Sequence, residues 1–342
     1  MNKDHRTATN NAIFLAAIVI LSLSCHEDNP LSGGKQPCSS TETGIVPHPP
    51  YDSPIWHPGG QLIGFNHTPL VSITYPNGVN CPGEQHFDGD SAGFWLINAD
   101  GTNMRRILPY TLHNPAWSSD GKWIAFGSRG EIFKMKFAGG EFDTTSIAQL
   151  TSGGSYFLPA WSSDGKWIAY NESTCDGPNT CGIWFMSSSG SQQTFLADYG
   201  NYPNWNPTSL KLIFCTVAVA HDGATIGDSL WTCDVNTRIK SFLAFVGGSN
   251  TKSRYLQYSP NGSRIAFCAS SNLWIMDSTA VSFQQLTTEG VDGDFGTAFS
   301  WSPSNDKIIY TRYRSTDWTM ENGVLWMIDT NSKMKTQFTM NP

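Results

Sequence analysis

Short stretches of alternating apolar and polar residues, each closed by turn residues, recur along the chain. The run PAWSSDGKWIAF at residues 115–126 returns almost unchanged as PAWSSDGKWIAY at residues 159–170. Self-similarity at a fixed period of about 44 residues indicates a repeat architecture. Weaker copies occupy residues 53–65, 202–214, 255–267 and 298–310. The six copies contain the aromatic anchors Trp56, Trp117, Trp161, Trp205, Tyr258 and Trp301.

Each repeat predicts four strands. The anchor strand leads through a tight turn such as Ser-Asp-Gly-Lys into a second apolar strand. A third strand carries an apolar-Trp pair, as in LWIMDS at residues 273–278, and a fourth ends in Leu-Thr, as in AQLTSGG at residues 148–154. We therefore predict an all-β fold, a six-bladed β-propeller of four-stranded antiparallel blades over residues 53–342. The last repeat has its own fourth strand, so the pattern leaves the mode of ring closure open.

The anchor run resembles the TolB-type propeller repeat, in which a Trp-Ser-Pro-Asp-Gly-Lys-x-Ile-Ala-Phe segment precedes an apolar strand and a Leu-Thr ending. The copies at residues 115–126 and 159–170 match it closely, and the resemblance extends over roughly residues 53–340. It implies a six-bladed propeller with WD-like repeats. TolB carries a separate N-terminal domain, whereas we expect residues 26–52 of this chain to be a linker rich in Pro and Ser.

Residues 1–25 have the layout of an export signal. A basic start precedes the apolar run at residues 12–23, and Ser24 and Cys25 follow it. This arrangement resembles a bacterial lipoprotein signal, which implies that Cys25 is lipidated and that the protein meets the membrane through a lipid anchor only. A plain secretory signal cut nearby is the alternative. We expect an exported lipoprotein of the outer membrane or cell surface, with the periplasm as the alternative location.

The cysteines of an exported protein reach an oxidising compartment, where disulfides persist. Cys175 and Cys181 bracket one short loop, CDGPNTC, and we predict that they form a disulfide. Cys215, Cys233 and Cys268 lie within apolar strand patterns, where we expect buried thiols.

Charge is sparse in this sequence. Only 14% of the residues are charged, the formal net charge is −7, and no basic run occurs. Because binding to phosphates requires clustered Lys and Arg, we expect no nucleic-acid partner.

The predicted strand order places the long insertions on one face of the ring, the loop face, which holds the second-to-third and fourth-to-first connections of the blades. Alternate Asp residues at 88–91 and 292–296 offer oxygen ligands for Ca²⁺, and histidines on the same face could hold a divalent transition metal. Neither fragment completes an EF-hand loop, and we assign no cofactor; ordinary solvated turn residues are the alternative interpretation. The predicted ligand-binding residues at the channel mouth are Asp88, Asp90, Asp222, Asp292, Asp294 and His113.

The sequence contains no compelling catalytic motif. GDSAG at residues 89–93 matches the G-x-S-x-G pattern, but a polar loop precedes Ser91 and a strand follows it, unlike the strand–turn–helix of a nucleophile elbow. We predict a binding or scaffold module for a protein, peptide or glycan at the cell envelope. The alternative is a metal-dependent polysaccharide lyase, because oligogalacturonate lyases resemble this repeat family. Few cations lie near the loop face to meet an anionic sugar: Arg254, Arg312 and Arg314.

Overall fold

The computed structural model describes residues 42–44, 51–75, 84–174, 180–219, 225–247, 254–270, 272–288, 298–316 and 319–339. These ranges belong to one compact unit and form 27 strands. They contain no helix that is long and apolar enough to cross a membrane.

Six four-stranded antiparallel sheets form the blades, and each blade uses its strands in chain order from the inner edge to the outer edge. The prediction of an all-β, six-bladed propeller is confirmed. Blade 1 contains β2 (Tyr51–Trp56), β3 (Leu62–His67), β6 (Gly93–Asn98) and β7 (Arg105–Leu108); β1 (Glu42–Gly44) pairs with an insertion hairpin of β4 (Leu70–Tyr75) and β5 (Glu84–Phe87). Blade 2 contains β8 (His113–Trp117), β9 (Trp123–Ser128), β10 (Glu131–Ala138) and β11 (Glu141–Gln149).

The other four blades lack an inserted sheet in the described part of the chain. Blade 3 contains β12 (Tyr156–Trp161), β13 (Trp167–Glu172), β14 (Gly182–Ser187) and β15 (Thr194–Asp198). Blade 4 contains β16 (Asn201–Trp205), β17 (Lys211–Val219), β18 (Thr225–Asp234) and β19 (Lys240–Gly247). Blade 5 contains β20 (Arg254–Tyr258), β21 (Arg264–Ala269), β22 (Asn272–Asp277) and β23 (Phe283–Gln285). Blade 6 contains β24 (Phe299–Trp301), β25 (Lys307–Thr316), β26 (Thr319–Asp329) and β27 (Lys335–Gln337).

The first tight turn of each blade is set by local hydrogen bonds, as blade 2 illustrates. The Ser118 hydroxyl donates to Asp120 Oδ1 at 2.7 Å and accepts from the Trp123 N–H at 3.0 Å. Gly121 follows with a φ of 69°, and a Cβ at this position would lie 2.4 Å from the His57 ring of blade 1. The turn therefore requires glycine both for its backbone and for its contact with the neighbouring blade.

The hydrophobic core lies between the blades. Ile183 and Phe185 of blade 3, for example, pack in one buried cluster with Trp205 and Phe214 of blade 4. Each blade packs both faces against its two neighbours, which explains why the sequence contains little charge.

Among the described strands, none is exchanged where the ring closes, and blades 6 and 1 meet by packing and by a hydrogen bond from the Trp56 N–H to Ser300 Oγ at 3.0 Å. Tyr51 and Phe65 of blade 1 share a buried cluster with Ile309 and Leu325 of blade 6, and each blade is completed by its own strands. The question that the sequence left open is thus answered for the described residues: blades 6 and 1 meet without a shared strand.

Candidate functional site

The predicted ligand-binding residues fall into three groups. Asp88 and Asp90 share the turn between β5 and β6, and His113 is the exposed first residue of β8. The third group, Asp222, Asp292 and Asp294, lies outside the described residues and stays a prediction. The same holds for the predicted lipidation site, Cys25, and for Cys175 of the predicted disulfide.

Asp88 serves the turn in which it lies. Its carboxylate accepts from the N–H of Asp90 at 2.9 Å and from the Ser91 hydroxyl at 2.7 Å, and the Ser91 hydroxyl contributes most to holding the pKa of Asp88 below its ordinary value. The Arg106 guanidinium donates to the carbonyls of Gly89 and Asp90. A cation beside this turn would meet the positive charge of Arg106.

Metal ligands do not cluster in the part of the chain that the structure describes. Within it, no group of three or more His, Cys, Asp or Glu side chains is arranged to hold a metal ion. Asp292 and Asp294 remain a prediction, because they fall outside that part.

Cys181 is disulfide-bonded, as expected for one partner of the predicted bridge. Cys175 lies outside the described residues, so its pairing with Cys181 stays a prediction. Cys215, Cys233 and Cys268 are buried thiols.

A central channel contains a cavity of about 550 Å³. The inner strands of all six blades line it, and so do prolines in the turns that follow three of them: Pro58, Pro260 and Pro303. None of the described residues along this wall carries a formal charge. Burial raises the pKa of the Tyr258 phenol, which keeps this lining residue neutral as well. The channel therefore suits an uncharged ligand.

Bulges shape the entrance of the channel from the loop face. In each of five inner strands the register shifts two to three residues before the anchor, and the residue three before the anchor has a positive φ. These φ values lie between 47° and 58°, in the left-handed region that bulky side chains rarely adopt, and such a residue typically costs about 1–3 kcal/mol. The five residues are Ser53, Asn114, Leu158, Tyr202 and Tyr255.

The bulges give the channel a small polar side and a large apolar side. Ser53 and Asn114 of blades 1 and 2 face Leu158, Tyr202 and Tyr255 of blades 3 to 5. The two tyrosine rings lie 5.2 Å apart, centroid to centroid, at an interplanar angle of 51°. This side offers an aromatic contact surface of the kind that binding sites use.

The residue that precedes each anchor divides the wall into two arcs. In blades 4 to 6 it is polar, and we call Asn204, Gln257 and Ser300 the polar arc. Each of these side chains accepts a hydrogen bond from the backbone N–H of the anchor in the next blade. The bonds run from Tyr258 to Asn204 Oδ1 at 3.0 Å, from Trp301 to Gln257 Oε1 at 3.2 Å, and from Trp56 to Ser300 Oγ at 3.0 Å.

In blades 1 to 3 the same position is apolar, and we call Ile55, Ala116 and Ala160 the apolar arc. These side chains have no acceptor to offer to the backbone N–H of the next anchors, Trp117, Trp161 and Trp205. Trp117 and Trp161 line the cavity and Trp205 does not.

The indole N–H groups of the anchors follow a related division. Trp205 and Trp301 donate across the blade boundary to the carbonyls of Ala160 and Gln257, at 3.0 and 3.2 Å. The buried indole N–H groups of Trp56, Trp117 and Trp161 have no hydrogen-bond partner. Three buried indole N–H groups around blades 1 to 3 thus lack an acceptor among the described residues.

Sequence reasoning placed the ligand at the channel mouth on loop-face acids and missed the channel wall itself. The missed residues stand inside the quoted repeats, two to three positions and one position before each anchor. If the six copies are aligned on their anchors, these two positions are polar in some blades and apolar in others.

Comparisons with known proteins agree on the fold. A family model described as the dipeptidyl peptidase IV N-terminal region matches residues 224–319. A search of curated protein sequences finds no match.

Three solved structures resemble this chain. The putative TolB of Agrobacterium tumefaciens is 19% identical with a TM-score of 0.54, over 69% of this chain and 84% of that one. TolB of Acinetobacter baumannii is 17% identical with a TM-score of 0.56, over 85% of this chain and 63% of that one. A chain of a nidogen/laminin complex is 13% identical with a TM-score of 0.51, over 89% of this chain and 94% of that one. At these identities the likeness concerns architecture alone. The chain has a TolB-like six-bladed β-propeller fold.

Proposed function

We propose that this protein is an exported binding module, anchored at the cell envelope through Cys25, that receives an uncharged segment of a protein partner in its central channel. The observation that carries the proposal is the channel wall, which is lined by tyrosine, tryptophan and proline and has no charged side chain among its described residues. A ligand entering such a wall loses its water and must bring little charge.

A protein segment fits this wall better than an anionic sugar does. The inner strands present their free edges to the channel, and free strand edges supply hydrogen bonds to another backbone. A polysaccharide lyase acting on a uronate needs cations at the substrate, and the described channel lining supplies none.

Two tyrosines three residues apart provide a matched test of the channel. Tyr202 lines the cavity, whereas Tyr199 is 71% exposed and lies outside it; both have a positive φ, which Asp tolerates better than most residues. We expect Tyr202→Asp to abolish the recovery of proteins captured from envelope extract, and Tyr199→Asp to leave it unchanged. Equal capture by both variants would place the partner elsewhere on the surface.

The anchor is tested separately from the channel. We expect Cys25→Ser to move the protein from the membrane fraction to the soluble fraction and Ser24→Ala to leave it membrane-bound, because only the first removes the thiol that would carry the lipid. Retention of the serine variant in the membrane fraction would contradict lipidation at Cys25.

A further inference from the structure

The turns that join the third and fourth strands of the blades lie at the outer rim of the face opposite the loop face. In four successive blades of the closed ring, blades 4, 5, 6 and 1, this turn contains a residue with a left-handed φ between 54° and 58°. A large apolar residue follows it directly and is exposed. We call these four residues the apolar crescent: Ile239 (64% exposed), Val281 (84%), Met334 (71%) and Met104 (39%).

The apolar crescent is specific to these blades. In blade 3 the left-handed residue of the turn, Gln192, is followed by the exposed Gln193, and blade 2 has a shorter turn of two glycines. Two outer strands extend the apolar surface, because Phe242 of β19 and Phe283 of β23 are exposed as well. Exposed apolar surface that collects on one side of a molecule marks a contact with a protein or a membrane.

Cations flank the apolar crescent in two of its turns. In blade 4, Ile239 stands between the exposed Arg238 and Lys240, and residues 333–335 of blade 6 repeat this order as Lys-Met-Lys. Long cationic side chains can cover apolar surface with their stems while their charges reach a polar boundary. Since the chain as a whole has a net charge of −7, these turns are a local concentration of positive charge.

The carboxylates of the same turns are engaged by their own backbone. Asp234 accepts from the N–H groups two and three residues further along, both at 3.0 Å, and Asp329 accepts from its two counterparts at 3.0 and 2.8 Å. Asp277 and Asp100 accept from the N–H two residues further along, each at 2.9 Å. These carboxylates shape the turns, and in blades 4 and 6 two cations stand against one carboxylate.

We propose that the apolar crescent rests on an anionic lipid surface, with its four side chains among the lipid head groups and the flanking Arg and Lys side chains at the lipid phosphates. Burial of the apolar side chains and attraction of the cations both contribute to such binding. This inference goes beyond the proposed function, because it concerns neither the channel nor Cys25. It adds a second membrane contact to the lipid anchor that the sequence predicts.

The arrangement of the apolar crescent favours a membrane over a protein partner. Its four turns stand on one rim of one face, so a flat surface can reach them together, and none of them lines the channel cavity. A protein interface requires closely packed, complementary contact, whereas a fluid lipid surface adapts to separate side chains.

Methionine methyl groups permit a direct test of the contact. The full chain, labelled with ¹³C-methyl methionine, is added to lipid nanodiscs of phosphatidylcholine and phosphatidylglycerol that contain a nitroxide-labelled lipid. We expect paramagnetic broadening to remove the methyl signal of Met334 and to weaken that of Met104, while the buried Met135 and Met186 keep their signals. Nanodiscs of phosphatidylcholine alone should produce less broadening, because the attraction between charges is lost.

Two exposed valines provide a matched control. Val281→Met adds a probe to the apolar crescent, and Val71→Met adds one to the insertion hairpin on the loop face, where the native valine is 53% exposed. We expect the first methyl to lose its signal in the nanodiscs and the second to keep it. Equal loss at both positions, loss at Val71→Met alone, or no loss at either position would each overturn the inference.

A charge substitution tests whether the members of the apolar crescent share one lipid contact. Ile239→Glu removes an apolar side chain and adds a negative charge, and we expect the broadening at Met334 to fall by about tenfold. Val71→Glu makes the same charge change and should leave it unaltered, and the signal of the buried Met135 shows whether each variant is folded. Unaltered broadening at Met334 in the folded Ile239→Glu variant would refute the inference. Membrane fractionation of Cys25→Ser is a separate measurement, so either membrane contact can fail without the other.

Discussion

The two arcs of the channel wall have the same strand geometry. They differ in whether the residue before each anchor accepts a hydrogen bond from the backbone N–H of the anchor in the next blade. In the polar arc, Asn204, Gln257 and Ser300 accept from the anchor of the next blade and join neighbouring blades by a hydrogen bond. In the apolar arc, Ile55, Ala116 and Ala160 offer no side-chain acceptor to the next anchor, and the blades are joined there by packing and by other hydrogen bonds, such as the one from the Trp205 indole to the Ala160 carbonyl. The repeat fixes the direction in which the backbone N–H of each anchor points. The residue before the anchor of the preceding blade decides whether that N–H finds a side-chain acceptor across the blade boundary.

The largest expected difference concerns the anchors themselves. Trp301 is 3% exposed and its indole N–H donates to the Gln257 carbonyl, whereas Trp161 is half-buried and its indole N–H has no partner. We expect Trp301→Ala to lower the free energy of unfolding by about 3–5 kcal/mol and Trp161→Ala by clearly less. Urea unfolding of both variants measures the difference, and equal losses would remove the distinction between the arcs.

Removal of one acceptor from the polar arc should have the next largest effect. Ser300→Ala leaves the Trp56 N–H buried without its partner at the boundary that closes the ring. We expect a loss of about 1–3 kcal/mol in the free energy of unfolding, measured by the urea midpoint. Ser152→Ala, in the exposed loop after β11, is the control. If both variants unfold alike, the inter-blade bond contributes little.

Addition of an acceptor to the apolar arc should have the opposite sign. Ala160→Asn offers an acceptor to the Trp205 N–H, and we expect it to raise the free energy of unfolding by about 0.5–1.5 kcal/mol. Asn204→Ala is the reciprocal change and should lower it by a similar amount. A loss of stability in both variants would mean that the two arcs differ in shape as well as in hydrogen bonding.

The smallest expected effect concerns the tight turns between the first and second strands of the blades, on the face opposite the loop face. The Ser118 hydroxyl, together with the backbone N–H of Lys122, holds the pKa of Asp120 below its ordinary value; in blade 5, Ser259 donates to the uncharged Asn261 instead. Since the folded pKa is lowered, this contribution is present above the unfolded pKa of about 3.9 and is lost as the pH falls through the folded value.

The test compares Asp120→Asn with the wild type in urea at about pH 6 and about pH 3. Because Asp120 is largely exposed, we expect a difference of only a few tenths of a kcal/mol, about the size of an exposed polar interaction, and we expect it to shrink at the lower pH. A difference that grows on acidification would contradict the sign of the pKa shift.

The fold was predictable because the repeat is dense in signals that act locally. The turn Ser-Asp-Gly-Lys fixes a reversal wherever it occurs, and the anchor Trp requires a neighbouring blade to bury it, so both the strands and their radial packing follow from the pattern. The blade order and all six anchors appear in the structure where the sequence placed them.

The site was less predictable, because its character comes from residues that lie far apart in the chain. Ser300 and Trp56 are separated by 244 positions, and their hydrogen bond exists only once the ring has closed. Asp88 shows a local role that the sequence alone did not reveal: its carboxylate accepts hydrogen bonds within its own turn, and its part in ligand binding stays a prediction. Local motifs identify residues that shape loops, whereas the chemistry of the channel depends on which blades become neighbours.

The absence of a shared strand between the described parts of blades 6 and 1 has a consequence for the evolution of such a protein. Since no described strand is shared between blades 6 and 1, the strands of each blade come from one segment of the chain, and a gene segment that encodes one blade is a complete unit of duplication. The near-identity of residues 115–126 and 159–170 is the trace that such a copying event would leave. For the same reason, a chain break at any other blade boundary would divide none of the described four-stranded sheets, so such boundaries are the places where the architecture tolerates an opening of the polypeptide.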